Sequence, residues 1–89
     1  MKESVNITIS GRVQGVGFRY FVKQKADMLA VNGFVKNLPD RNVYVEAEGN
    51  AEQLQVFISL CKQGPSHAWV ENADIQYCPL QGFVGFTIR

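Results

Sequence analysis

A strand pattern changes into a helix pattern near the beginning of the chain, and a glycine-containing loop joins the two. Val5, Ile7 and Ile9 alternate with polar residues, which is typical of a strand with one buried face. Farther on, apolar residues recur three or four positions apart, as on one face of a helix: Phe18, Val22, Ala26 and Leu29. The backbone must therefore pass from sheet to helix within the few residues after Gly11.

The connecting run, Arg12-Val-Gln-Gly-Val-Gly-Phe-Arg19, predicts an anion site of the kind that usually binds phosphate. Gly15 and Gly17 permit torsions that other residues resist, so consecutive N–H groups can face one ligand. The first helical turn adds unpaired donors and the positive end of the helix dipole. Arg19 lies in that turn, where its guanidinium matches phosphate oxygens. We expect the phosphate-binding residues to be Gln14, Gly15, Val16, Gly17, Phe18 and Arg19.

The patterns after the first helix predict a hairpin of two strands. The helix is expected to end near Asn32-Gly33, a pair suited to a helix C-terminus. Residues 34–38 then have the pattern of a short strand, and residues 39–42 that of a tight turn. Alternation resumes over residues 43–48, which predicts the returning strand of the hairpin.

A second helix and two further strands are expected to follow. Asn50 and Gln53 have the spacing of a capping box, and Gly64-Pro65 stops the helix. The apolar stripe of this helix is predicted to be Leu54, Phe57, Ile58 and Cys61. Strands are then expected over residues 69–77 and over residues 84–88.

The order β-α-β-β-α-β with one extra C-terminal strand predicts an α+β fold, a ferredoxin-like split βαβ sandwich. Two helices would cover one face of an antiparallel sheet, and residues 1–89 would form a single domain. In that topology the first two strands are parallel, since both pair antiparallel with the third. Their C-terminal ends share one edge of the sheet, so Asn37 is expected beside the loop of residues 12–19.

The residues predicted at this edge favour one kind of phosphoryl chemistry. The amide of Asn37 can hold a water molecule at a fixed angle, but it carries no charge and is not a base. The loop contains no Cys, Ser, Asp or His, which argues against a covalent phosphoenzyme. An acyl phosphate already has a good leaving group, so positioning and electrostatics can suffice for its hydrolysis.

Composition argues against several classes of partner. The formal charge is +1 at pH 7 without a basic stripe, so nucleic acid is not expected. Apolar residues make up 46% of the chain, but no run is long enough to span a membrane. One histidine, His67, and two distant cysteines, Cys61 and Cys78, lack the pattern of a zinc site, and an anion site of this kind needs no metal, so no metal is expected. The beginning of the chain lacks the pattern of a secretory signal, so we expect a cytoplasmic protein. We also expect a monomer that acts on a small molecule.

The chain resembles the acylphosphatase family in its motifs. Members share the pattern Gly-Arg-Val-Gln-Gly-Val-x-Phe-Arg, which residues 11–19 match. They also share an asparagine at the end of the second strand, matched here by Gly33-Phe-Val-Lys-Asn37. The resemblance continues through residues 43–49, Gly64-Pro65 and the terminal Phe86-Thr-Ile-Arg89. One departure is Arg41, which stands in the hairpin turn where relatives commonly carry glycine.

This resemblance implies hydrolysis of an acyl phosphate to carboxylate and inorganic phosphate without a cofactor. Arg19 and the N–H groups of the loop would bind the phosphoryl group, and Asn37 would orient the attacking water. Arg19 and Asn37 are therefore the expected catalytic residues. The proton of the water would pass to the phosphate of the substrate itself, because no side-chain base is implicated.

Two different functions are compatible with the same chain. One is a non-catalytic or regulatory module that binds an acyl or carbamoyl phosphate. Another is nucleic-acid binding, because RNA-recognition domains share the βαββαβ order and Gly82-Phe-Val-Gly-Phe86 is similar to their aromatic motif. That motif belongs on the third strand, however, and here it lies on the last. Asn37 can also simply close a strand in a turn, and Arg19 can be a solvated charge.

Overall fold

The computed structural model describes residues 1–89 and contains a five-stranded sheet with two helices packed on one face. The elements in chain order are β1 (Lys2–Arg12), α1 (Phe18–Met28), β2 (Asn32–Asn37), β3 (Val43–Asn50), α2 (Ala51–Gln63), β4 (Trp69–Cys78) and β5 (Phe86–Ile88). Neither helix has the length and apolar character that crossing a bilayer requires. The predicted order of elements is confirmed.

The strands lie in the order β4-β1-β3-β2-β5. Both β1 and β2 pair antiparallel with β3, so they run in the same direction, as predicted. The predicted antiparallel arrangement is confirmed for β4, β1, β3 and β2, but β5 pairs parallel with β2, from Gly33↔Phe86 to Val35↔Ile88. The sheet is therefore mixed.

The direction of β5 follows from the path of the segment before it, which we call the crossover loop (residues 79–85). β4 ends beside Ser4, at the end of the sheet where β1 and β2 both begin. The loop leads from there to the far edge, so β5 starts beside the first residues of β2. Val84, predicted to begin the last strand, lies in the crossover loop and is 95% exposed. The strand itself begins two residues later, at Phe86.

Helix α1 ends earlier than the sequence indicates. Its last residue is Met28, and Ala30 rather than a glycine takes the left-handed conformation that ends the helix, with φ of 55°. The N–H of Val31 donates to the carbonyl of Ala26 at 2.9 Å, which is the closing bond of a Schellman motif. Ala26 and Val31 are both buried in the core, so their contact favours this ending and leaves Asn32-Gly33 to begin β2.

The core lies between the helices and the covered face of the sheet. The predicted stripe of α2 is buried, and in α1 Phe18, Val22 and Ala26 are buried with Leu29 packed against them. Asn50 caps α2 as predicted, although its side chain accepts from the N–H of Glu52 at 3.3 Å. Cys61 is a free thiol in this core, and burial raises its pKa.

Candidate active site

The loop between β1 and α1, which we call the glycine loop (residues 13–17), has a backbone that only glycine adopts easily. Gly15 and Gly17 have φ of 73° and 77°. A Cβ built on either residue would meet no atom within 4 Å, so the torsions and not crowding require glycine at both positions. The loop thereby presents its main chain, rather than side chains, to the space in front of α1.

The main-chain donors of this segment have no acceptor in the protein. None of the N–H groups of residues 14–20 donates to another main-chain or side-chain atom, and no side chain caps α1. The first helical bond of α1 runs from the N–H of Phe21 to the carbonyl of Gly17 at 3.0 Å. A run of free donors at the positive end of a helix is well suited to hold an anion.

A cavity of about 210 Å³ lies in front of these donors, and Asn37 lines it together with the loop. Its lining residues are Val13, Gly15, Gly17, Phe18, Arg19, Tyr20, Asn37 and Ile88. The cavity is smaller than the range of about 300–1,000 Å³ that is typical of sites for drug-sized ligands, so it suits a group of few atoms. We call it the phosphate cavity. The parallel course of β1 and β2 brings the glycine loop and Asn37 together here, as the topology predicted.

Asn37 carries the most informative atom of the cavity. Its Oδ1 is buried and accepts no hydrogen bond within the protein. A buried acceptor without a partner costs about 1–3 kcal/mol, so native proteins rarely leave one without a water or ligand. Asn37 lies two residues after Val35, whose side chain is in the core, so both face the helix side of the sheet. The amide oxygen is thus available to a molecule in the phosphate cavity.

Arg19 adds a positive charge to the same cavity without an acidic partner. Its side chain is exposed, and its Nη1 lies 3.5 Å from the main-chain oxygen of Arg89. The one salt bridge in the structure joins Lys23 to Asp27 instead. Apart from this one contact with Arg89, the donors of the Arg19 guanidinium are available to an anionic ligand.

Two predicted phosphate-binding residues do not line the cavity. The Nε2 of Gln14 donates to the carbonyls of Leu38 and Asn42, each at 2.9 Å, and so ties the glycine loop to the β2–β3 turn. The side chain of Val16 is partly buried against the core. From these two positions, only the main-chain N–H groups are left for a ligand.

The β2–β3 turn, which follows directly on Asn37, contains the residue that departs from the family pattern. Arg41 has φ of 76°, the left-handed conformation that glycine adopts most easily. Its N–H donates to the carbonyl of Leu38 at 3.1 Å, and the N–H of Leu38 donates to that of Asn42 at 2.9 Å. With the two bonds from Gln14, these contacts hold the chain on both sides of the cavity.

Comparison with known proteins identifies the family. A family model described as Acylphosphatase matches residues 5–88. The chain belongs to the acylphosphatase family. The acylphosphatase of Nocardioides sp. is 40% identical over 89 residues, which cover 100% of this chain and 90% of that protein. The acylphosphatase of Thermus thermophilus is 45% identical over 80 residues, which cover 90% of this chain and 91% of its own.

A solved acylphosphatase structure shows the same fold. The crystal structure of acylphosphatase from Bacillus subtilis aligns with a TM-score of 0.95 at 39% identity, over 100% of this chain and 99% of that one. The predicted resemblance to acylphosphatases and the predicted ferredoxin-like α+β architecture are both confirmed.

Three residues that line the phosphate cavity of this acylphosphatase chain were not among the binding residues predicted from the sequence: Val13, Tyr20 and Ile88. Val13 directly precedes the predicted segment of residues 14–19 and belongs to the core. Tyr20 follows Arg19 in α1 and does not belong to the buried apolar stripe of that helix. The spacing of apolar residues therefore could not predict that Tyr20 lines the cavity. Ile88 reaches the cavity only because β5 pairs with β2, which is a long-range contact. The family-like run Phe86-Thr-Ile-Arg89 was the one sequence signal that could have indicated Ile88.

Proposed function

We propose that this chain is an acylphosphatase that hydrolyses the carboxyl–phosphate bond of acyl phosphates to a carboxylate and inorganic phosphate. The observation that carries the proposal is the buried, unpartnered Oδ1 of Asn37 in the same cavity as a run of free N–H donors and the guanidinium of Arg19. Membership of the acylphosphatase family supports it.

The phosphoryl group would occupy the phosphate cavity. Its oxygens would accept hydrogen bonds from the N–H groups of residues 14–19 and from the guanidinium of Arg19. Hydrogen bonds of this kind to a charged group contribute about 1.5–3 kcal/mol each, although they are not additive. The charge that develops on these oxygens in the transition state meets donors that are already in place, which lowers the barrier.

Asn37 would position the attacking water. Its Oδ1 accepts a hydrogen from the water, and the water oxygen bonds to phosphorus while the bond from phosphorus to the acyl oxygen breaks. The electron pair of the broken bond leaves with the carboxylate. The water gives its proton to a phosphate oxygen, because Asn37 is not a base. Arg19 and Asn37 are accordingly the proposed catalytic residues, and residues 14–19 the proposed substrate-binding segment.

We further propose that residues 1–89 act as one domain and one monomer, in the cytoplasm, without metal, cofactor or nucleic acid. One continuous core joining both helices to the sheet supports the single domain. No three His, Cys, Asp or Glu side chains lie close enough together to hold a metal ion, and the proposed mechanism uses none. The formal charge of +1 disfavours binding to a nucleic-acid backbone.

The test is a continuous assay of benzoyl phosphate hydrolysis in the presence of a chelator, beside an assay with p-nitrophenyl phosphate. We expect hydrolysis of benzoyl phosphate, unchanged by the chelator, and none of p-nitrophenyl phosphate, because the monoester lacks the activated leaving group. A folded protein that binds inorganic phosphate but hydrolyses no acyl phosphate would overturn the proposal and leave the non-catalytic anion-binding module in its place.

A further inference from the structure

A second and larger cavity opens directly beside the phosphate cavity. Its volume is about 620 Å³, within the range of sites that hold a whole small molecule. The two cavities share Gly17, Tyr20 and Ile88 as lining residues, so they lie next to each other. We call the larger cavity the side groove.

Tyr20, Phe21 and Ile88 form an apolar part of the wall of the side groove, and Lys23, Gln24 and Asp27 form a polar part. Tyr20 is 79% exposed, and its ring has no aromatic partner within the protein. The ring of Phe21 is held in place by an edge contact with Phe18, at 6.1 Å between centroids, and by the ammonium of Lys25, 5.3 Å from its centroid. A rigid ring and an available ring therefore lie on the same side of the phosphate cavity.

The charged residues of the side groove neutralise each other. Lys23 and Asp27 are both lining residues, and Lys23 Nζ donates to Asp27 Oδ2 at 2.8 Å. No unpaired acid or base is left in the groove to attract a charged group, which favours an uncharged, apolar ligand.

We propose that the side groove binds the acyl group of the substrate and selects aromatic or extended apolar acyl groups over acetyl and carbamoyl groups. This inference rests on the proposed function, because it identifies the leaving half of the same substrate. A phosphoryl group in the phosphate cavity places the acyl carbon at the shared border formed by Gly17, Tyr20 and Ile88. An aromatic acyl group then lies against the ring of Tyr20.

The position of Asn37 agrees with this placement. Asn37 lines the phosphate cavity but not the side groove. In-line displacement requires the attacking oxygen and the leaving oxygen on opposite sides of phosphorus. Water held by Asn37 and a carboxylate that leaves into the side groove would occupy different parts of the site, which is compatible with that requirement.

The first arm of the test compares kcat/KM for benzoyl phosphate with kcat/KM for acetyl phosphate in the parent protein and three variants. In Tyr20→Ala we expect the benzoyl-to-acetyl ratio to fall about threefold to tenfold, as loss of one aromatic contact predicts. Tyr20→Phe keeps the ring and should keep the ratio. Met28→Ala is the matched control, because Met28 is 70% exposed on the same helix and lines neither cavity. An unchanged ratio in folded Tyr20→Ala would overturn the inference.

The second arm separates the side groove from the catalytic proposal by using ligands that are not hydrolysed. Calorimetric titration measures the dissociation constants of phenylphosphonate and methylphosphonate for the same four proteins. We expect tighter binding of phenylphosphonate in the parent and a loss of that preference in Tyr20→Ala alone. If the parent prefers phenylphosphonate but hydrolyses no acyl phosphate, the catalytic proposal is wrong and the proposed role of the side groove is supported. If acyl phosphates are hydrolysed but phenylphosphonate is not preferred, the proposed role of the side groove is wrong.

Discussion

Two loops of this molecule expose consecutive main-chain N–H groups, and they differ in whether the chain itself supplies an acceptor. In the crossover loop, the N–H groups of Gln81, Gly82 and Phe83 donate to the carboxylate of Glu48 at 2.6, 2.8 and 2.9 Å. In the glycine loop, the corresponding donors have no acceptor. The donors of the crossover loop therefore have a structural role, because Glu48 supplies their carboxylate. The donors of the glycine loop are available to a ligand, because no group of the chain accepts from them.

The crossover loop also helps to form the cavities beside the glycine loop. Glu48 is only 6% exposed, and the three hydrogen bonds that it accepts hold the crossover loop on the open face of the sheet. On the same face, Phe83 packs on Phe34 with 5.8 Å between the ring centroids. The pinned loop leads into β5, which carries Ile88 into both cavities. The contacts of Glu48 thus help to place Ile88, a lining residue of both cavities.

The largest expected effect comes from Asn37→Ala. The variant removes the proposed acceptor of the attacking water, so kcat for benzoyl phosphate should fall about a hundredfold or more, by analogy with loss of one positioned polar group in other active sites. Inhibition by inorganic phosphate should hardly change, because the donors of the glycine loop remain. Steady-state kinetics with phosphate as a competitive inhibitor measures both quantities. Equal turnover in variant and parent would remove Asn37 from the mechanism.

Arg19→Ala should have the next largest effect, and on binding as well as on turnover. Loss of one charge-assisted partner should raise the phosphate inhibition constant about tenfold to a hundredfold and lower kcat/KM with it. Arg12→Ala is the matched control, because Arg12 is exposed in the same run and does not line the phosphate cavity. An inhibition constant equal to that of the parent would contradict the ligand-binding role of the glycine loop.

The comparison also explains what the sequence could predict. The glycine loop and Asn37 follow from local signals, a change of hydrophobic period and the parallel course of two strands, and the structure brings them to one cavity. Glu48 has no such signal, because it alternates along β3 in the same way as Glu46. Only the crossover loop buries it, and the path of that loop depends on long-range contacts.

The same limit explains the other differences between sequence and structure. The parallel pairing of β5 follows from where the crossover loop arrives, and the early end of α1 depends on burial of Val31 against Ala26. Hydrophobic period and turn residues report on local conformation, whereas these features depend on contacts between distant elements. The sequence therefore predicted most helices and strands, but not the two features that depend on tertiary packing.

Glu48→Gln should destabilise the protein without disabling the chemistry directly. The variant loses the charge that strengthens three main-chain hydrogen bonds, so the free energy of unfolding should fall by about 2 kcal/mol. Urea unfolding measures the loss. Glu71→Gln is the control, because Glu71 is exposed and makes no hydrogen bond through its side chain. Equal stability of Glu48→Gln and the parent would show that the crossover loop does not depend on its internal anion.

The difference in unfolding free energy between the parent and Glu48→Gln should depend on pH. Burial of Glu48 acts to raise its pKa, but hydrogen bonds from Gln81, Phe83, Gly82 and Ser4 lower it, and the pKa lies below its ordinary value of 4.5. The stabilisation is therefore complete above pH 4.5 and is lost as the pH falls through the folded-state pKa. The gap in unfolding free energy between the parent and Glu48→Gln should narrow below pH 4.5. A gap that stays constant in this range would contradict the assignment.

The smallest expected effect compares one glycine from each loop. Gly15 and Gly82 have φ of 73° and 79°, and a Cβ on either would meet no atom within 4 Å. Gly15→Ala and Gly82→Ala should therefore each lower the free energy of unfolding by about 1 kcal/mol, the cost of a left-handed torsion. Only Gly15→Ala should also weaken inhibition by phosphate, because Gly15 lines the phosphate cavity and Gly82 holds Glu48. Equal phosphate affinity in the two variants would mean that the glycine loop, like the crossover loop, has only a structural role.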